Sequence, residues 1–137
     1  MTRLGILLFA HGARDPAWAQ PFQAVAQRLS ERMAQPHGTP SALVTLAFLE
    51  FMSPDIGTAG DQLAAQGCSE VAVVPLFLGA GGHVRKDLPR LIGELADRHP
   101  EVNWRLSAAV GETDILIQGM ADAAWALART APDTPAT

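Results

Sequence analysis

Leu4-Gly5-Ile6-Leu7-Leu8-Phe9-Ala10-His11-Gly12-Ala13-Arg14-Asp15-Pro16 is the stretch that decides the fold. Residues 4–10 form a short, unbroken apolar run. That pattern predicts a strand buried on both faces, because a half-exposed strand would alternate apolar with polar. Asp15-Pro16 then starts a helix, with Asp as N-cap and Pro as first helical residue. Behind it Trp18, Phe22, Val25, Leu29 and Met33 recur every three or four residues, the spacing of an amphipathic helix. A buried strand feeding such a helix through a short turn is the opening of a β-α unit.

The same alternation continues along the chain. Residues 43–49 predict a second strand, and Ser53-Pro54-Asp55 starts a second helix for which Gly67 is the stop. Residues 71–76 read as a third strand. After the glycine-rich Gly79-Ala80-Gly81-Gly82, a third helix carries Leu88, Leu91, Ile92 and Leu95 and ends near His99-Pro100. Residues 102–108 predict a fourth strand, and from Asp114 a last helix carries Ile115, Met120, Ala124 and Leu127. The order β-α-β-α-β-α-β-α predicts a small doubly wound parallel sheet of four strands with helices on both faces, an α/β fold. Residues 1–130 are expected to form a single domain and residues 131–137 a flexible tail.

Composition narrows the function. The chain has 137 residues, 48% of them hydrophobic, enough for one domain with a real core. A net charge of −4 argues against a nucleic-acid partner, which would call for a basic patch. The single cysteine, Cys68, leaves no internal disulfide and no thiolate cluster for zinc or iron–sulfur. No apolar run approaches the ~18 residues of a membrane span, and residues 4–10 are too short for a leader. A cytoplasmic protein without a membrane partner is the expectation.

Ligands of open parallel sheets bind beyond the carboxyl ends of the strands. The segments past the first three predicted strands each hold one group able to bind a metal or move a proton: His11, Glu50 and His83. Taken singly, His11 reads equally as a histidine capping a backbone carbonyl, Glu50 as a solvated carboxylate, and His83 as a helix cap. Their coincidence on one sheet edge favours a site. Two imidazoles and a carboxylate suit a divalent first-row metal, and also proton abstraction near neutral pH. His37 in a Pro-rich loop and His99 at a helix end lie apart from this edge. The glycine loop lacks the phosphate-binding patterns of nucleotide sites, and its glycines suit a flat ligand lying against the backbone.

Phe9-Ala10-His11-Gly12-Ala13-Arg14-Asp15-Pro16, Ala47-Phe48-Leu49-Glu50, residues 74–89 with Pro75-Leu76-Phe77-Leu78 and His83-Val84-Arg85-Lys86-Asp87-Leu88-Pro89, and Gly111-Glu112 together resemble the sirohydrochlorin (class II) chelatases. The resemblance, over about residues 3 to 128, is to the short, single-domain form of the anaerobic-type sirohydrochlorin cobaltochelatase. Ala13 departs from the serine common at that position.

The resemblance implies an ATP-independent lyase that inserts a divalent metal into sirohydrochlorin, a tetrapyrrole bearing eight carboxylates, with release of two protons. Cobalt leads to cobalamin, iron to sirohaem, nickel to a related cofactor. The metal is a substrate, and no prosthetic group is implied. The resemblance makes His11 the proton acceptor and a metal ligand, His83 a second ligand, and Glu50 a ligand or proton acceptor. Leu78, Gly79, Ala80, Gly81, Gly82 and His83 would line the macrocycle, and Arg14, Arg85 and Lys86 would meet substrate carboxylates. Long members fuse two such domains, and short ones pair as homodimers. A ferrochelatase of sirohaem synthesis and a non-catalytic metal or tetrapyrrole carrier fit the same residues.

Overall fold

The computed structural model describes residues 2–79 and 81–130, leaving aside the side chains of His83 and Arg85. Strand β1 (Leu4–Ala10) is the centre of the sheet. It pairs in parallel with β2 (Leu43–Phe48) on one side and β3 (Glu70–Pro75) on the other. β3 in turn pairs with β4 (Asn103–Leu106), giving the order β2-β1-β3-β4. The position of β1 explains its unbroken apolarity: neighbours cover both edges and side chains cover both faces.

Helix α2 (Ile56–Ala65) and α3 (Gly82–Arg98) cover one face. Leu7 and Phe9 of β1 and Val71 and Val73 of β3 pack there with Ile56, Leu63, Leu88 and Leu95. The alternate residues Ala10, Leu46 and Phe48 face the other way and meet Trp18 and Phe22 at the start of α1 (Gln20–Ala34). Asp55 caps α2 by accepting the Thr58 backbone N–H at 2.8 Å. The last helix, α4, spans Asp114–Arg129.

Four details differ from the sequence reading, the first being that strand three runs over Glu70–Pro75 rather than 71–76. Residues 16–19 form a tight 3₁₀ turn before α1. Pro21 lacks the N–H that an α-helix would bond to the Ala17 carbonyl, and Gln20 makes the tighter bond to Ala17 instead. Strand two stops at Phe48, one residue before the expected end. Strand four is confined to 103–106, short of the expected 102–108. It pairs with β3 alone, and beyond Ser107 the chain turns back over the end of β3, where the Gly111 N–H bonds the Phe77 carbonyl at 2.9 Å. No helix among the described residues is long and apolar enough to cross a membrane. The expected tail, 131–137, lies outside the described residues.

Candidate functional site

The strand order sets the site. From β1 the chain crosses to β2 on one side, then returns past β1 to β3 on the other. Connections leave the carboxyl ends of β1 and β3 in opposite directions, and the crevice between them is where ligands of such sheets bind. His11 follows β1, Glu50 follows β2, and the 76–82 loop follows β3.

Backbone pairing carries His11 and Glu50 together. The ladder between β1 and β2 runs past the strand ends, with Leu49 N–H on the Ala10 carbonyl at 2.9 Å and Glu50 N–H on the His11 carbonyl at 3.1 Å. Gly12 allows this approach. It has a φ of +95°, and a Cβ there would collide with the Glu50 carbonyl oxygen. The side chains meet as well: Nε2 of His11 lies 3.1 Å from Oε1 of Glu50. An ionised carboxylate only accepts, so the contact is made by Nε2–H, and in the neutral imidazole Nδ1 then keeps the lone pair. Two donors each about 2.1 Å from one metal, at roughly tetrahedral to right angles, are also ~3.0–3.4 Å apart. The pair is therefore spaced both as an oriented base and as two ligands of one metal. Both side chains are about half exposed, His11 at 50% and Glu50 at 48%.

Aromatic rings flank the pair. Phe77 is nearly buried, lies edge-on to His11 at 6.4 Å and rests on Phe9 at 5.9 Å. Phe51, next to Glu50, adopts a φ of 66° and is largely exposed, with the Arg14 guanidinium 5.1 Å over its ring. On the far side of Phe77 an apolar cleft of about 240 Å³ opens between β3, α3 and the end of β4, lined by Val84, Leu88, Pro89, Leu106 and Glu112.

Leu78, Gly79, Gly81 and Gly82 are exposed beside this crevice. A Cβ at Gly79, Gly81 or Gly82 would meet nothing within 4 Å, and none of the three has a positive φ. Neither local conformation nor crowding by this chain calls for glycine at those positions. Gly111 contrasts with them, because a Cβ there would strike the Leu78 backbone. Lys86 is exposed in α3.

His83 sits in the first turn of α3, whose N-cap is Gly81, so it is not the capping residue. The side chains of His83 and Arg85, and the whole of Ala80, lie outside the described residues. Among the described residues no group of three or more His, Cys, Asp or Glu is placed to hold a metal. His99 is engaged elsewhere, its Nε2 2.7 Å from Asp61. Cys68 is buried, and burial pushes its thiol pKa up, away from reactivity. Sequence reasoning gave no role to Phe51, and it placed Phe77 only within a family motif. An exposed aromatic beside a strand-end carboxylate has no spacing signature, and Phe77 reads as ordinary core.

These features put the protein among parallel α/β domains with an imidazole–carboxylate pair exposed at the carboxyl edge of the sheet, beside its switch point. The model of the CbiX family matches residues 5–124, and the chain belongs to that family. It is 38% identical over 90 residues to the sirohydrochlorin cobaltochelatase of Saccharolobus solfataricus, covering 66% of this chain and 64% of that protein. It is 33% identical over 94 residues to the sirohydrochlorin cobaltochelatase of Methanocaldococcus jannaschii, covering 69% and 62%. The matched region thus spans less than two thirds of these relatives' length. Among solved structures, a CbiX protein from Marinobacter aquaeolei VT8 superposes with a TM-score of 0.77 at 32% identity, over 93% of this chain and 99% of that one. The sirohydrochlorin chelatase SirB from Bacillus subtilis subspecies spizizenii, in complex with cobalt, superposes with a TM-score of 0.76 at 25% identity, over 93% of this chain and 52% of that one.

Proposed function

We propose that the chain is a sirohydrochlorin chelatase that inserts a divalent metal, cobalt, into the tetrapyrrole and releases two protons. The observation that carries this reading is the His11–Glu50 pair at 3.1 Å on an exposed sheet edge. Metal insertion has two demands. Two pyrrole N–H protons must leave, and the metal's water ligands must give way to ring nitrogens. An imidazole oriented by a carboxylate meets the first, since Glu50 fixes the ring and raises its basicity. The same two donors, with His83 as a second imidazole, meet the second by holding the metal until the ring takes it.

The remaining roles rest on residue type and on place along the chain. Leu78, Gly79, Ala80, Gly81 and Gly82 offer low relief for a flat macrocycle. Arg14, Arg85 and Lys86 bring positive charge to substrate carboxylates on a chain of net charge −4. Cobalt is favoured because the relatives are named cobaltochelatases, whereas SirB structures hold cobalt in one case and iron in another and do not separate the two. The metal is consumed as substrate, and no prosthetic group takes part. The protein works in the cytoplasm as a homodimer over a single domain of residues 1–130. The pairing is supported by length: this chain matches nearly all of one CbiX protein but about half of SirB.

The test follows the visible absorption of sirohydrochlorin with cobalt, iron or nickel. Wild type is expected to accelerate cobalt insertion, and His11→Ala and His83→Ala each to lower the rate by about 10²-fold or more. Unchanged rates in both variants would remove the mechanism. Faster insertion of iron would make the protein a ferrochelatase of sirohaem synthesis. Binding of metal or ring without insertion would make it a carrier.

A further inference from the structure

Phe51 sits where the backbone favours a different residue. It follows Glu50, adopts a φ of 66° and is 57% exposed. A bulky side chain rarely takes that conformation, whereas glycine takes it freely. The ring belongs to neither apolar cluster of the core. Core packing therefore does not account for an aromatic residue held in a conformation it disfavours. Residues held this way concentrate at ligand sites.

The corner that carries Phe51 is fixed from both sides. The Glu50 N–H bonds the His11 carbonyl at 3.1 Å, and the Phe48 N–H bonds the Pro54 carbonyl at 2.9 Å. Between these bonds the Phe51 ring separates two open grooves. One, of about 680 Å³, is lined by Glu50 and by Thr58 and Gln62 of α2. The other, of about 290 Å³, is lined by Arg14, Pro16 and Gln23.

Arg14 is the residue that uses the ring. Its guanidinium lies 5.1 Å from the ring centroid, over the face. No carboxylate among the described residues pairs with it. A cation over an aromatic face is held by its charge, which leaves N–H donors for a second partner. A carboxylate fits those donors, two N–H groups to two oxygens. Arg14 lies three residues beyond His11, and Phe51 adjoins Glu50. The backbone bond between His11 and Glu50 thus brings the cation and its ring to the same edge as the pair.

We infer that Phe51 is a positioning residue: its ring holds the Arg14 guanidinium beside the His11–Glu50 pair, where the guanidinium takes a peripheral carboxylate of the tetrapyrrole. The inference rests on the chelatase reading above and adds what places Arg14. Without an aromatic face the arginine samples many rotamers in water, and binding has to restrict them. Phe51 does that before the substrate arrives.

The test is steady-state cobalt insertion into sirohydrochlorin by the full chain, with KM for the tetrapyrrole and kcat read separately. Phe51→Leu keeps apolar bulk and removes the aromatic face. It is expected to raise KM about 2- to 5-fold, the size of an exposed cation–π contact, with kcat within about twofold of wild type. Phe51→Tyr restores the face and is expected to restore KM. Arg14→Gln is expected to raise KM about 10-fold or more. Phe51→Leu in that background should add nothing, because the ring acts through the arginine. Phe51→Gly separates this effect from a folding defect. It relieves the positive φ, so its urea midpoint is expected at or above that of wild type while KM rises as in Phe51→Leu. A KM that rises as much in the Arg14→Gln background would mean that the ring touches the substrate itself, and overturns the positioning role. An unchanged KM in Phe51→Leu, or a loss confined to kcat, overturns it too. These outcomes leave the chelatase reading standing, whereas a wild type that inserts no metal removes both.

Discussion

Gly12 carries much of the site's geometry although it has no side chain. Its φ of +95° lets the chain turn after β1, and its missing Cβ leaves room for the Glu50 carbonyl. Gly12→Ala is expected to cost about 1–3 kcal/mol from the strained backbone alone. It must also push the segment carrying Glu50 away from His11, so cobalt insertion should fall with stability. Urea unfolding and the insertion assay on the same variant check both effects, and an alanine that leaves both unchanged would contradict the geometry. The site was legible in the sequence only in part. His11 and Glu50 could be marked because each follows a predicted strand on the same edge. Their contact at 3.1 Å could not, because it depends on β1 and β2 being neighbours in register. Phe51 carries no mark in the sequence, and Phe77 only its place in the motif, for a related reason: which ring faces a site is decided by the turn beyond the strand, and composition does not record it.

The elements were more legible than their ends. β1 was read with its observed bounds because an unbroken apolar run between polar flanks leaves one solution. α2 was marked by its Asp cap, which holds the Thr58 N–H. β4 was overestimated because an edge strand ends where its partner stops, not where its own apolar residues do. The contact between α2 and α3 shows what element packing adds. Asp61 on α2 accepts from Arg98 at 3.1 Å and meets His99 at 2.7 Å at the end of α3. The His99 hydrogen bond is the main cause holding the Asp61 carboxyl below the ordinary value of 3.8, helped by Arg98 and opposed by burial. A carboxyl whose pKa is lowered by folding adds stability above its unfolded value and loses it as pH falls through the folded one. The urea midpoint is therefore expected to drop as pH is lowered below about 3.8. Asp61→Asn should flatten part of that drop, leaving the share of Asp55, whose carboxyl is lowered by the Thr58 backbone N–H. The pair is partly exposed, so the effect should stay below about 1 kcal/mol. Equal slopes for wild type and variant would mean that Asp61 does not couple the two helices.

At the scale of the whole molecule, one chain is too open for the ligand assigned to it. The cleft beside Phe77 holds about 240 Å³, and an open groove of about 680 Å³ borders Glu50 and Phe51, but neither encloses the pair: His11 and Glu50 stay half exposed. Pockets that enclose a drug-sized ligand run to ~300–1,000 Å³ and cover most of its surface. A tetrapyrrole with eight carboxylates is larger still, so a single sheet edge meets one side of it and leaves the other in water. On the proposed two-copy reading, a second copy would supply the missing wall. The turn that launches α4 packs Gly111 on the Leu78 backbone, so the helix and the loop after β3 share one anchor. Activity per chain should therefore depend on protein concentration. Cobalt insertion measured across a dilution series is expected to fall as light scattering reports dissociation. A constant rate per chain through the monomer range would mean that one edge suffices for insertion, and the dimer would then serve stability rather than chemistry.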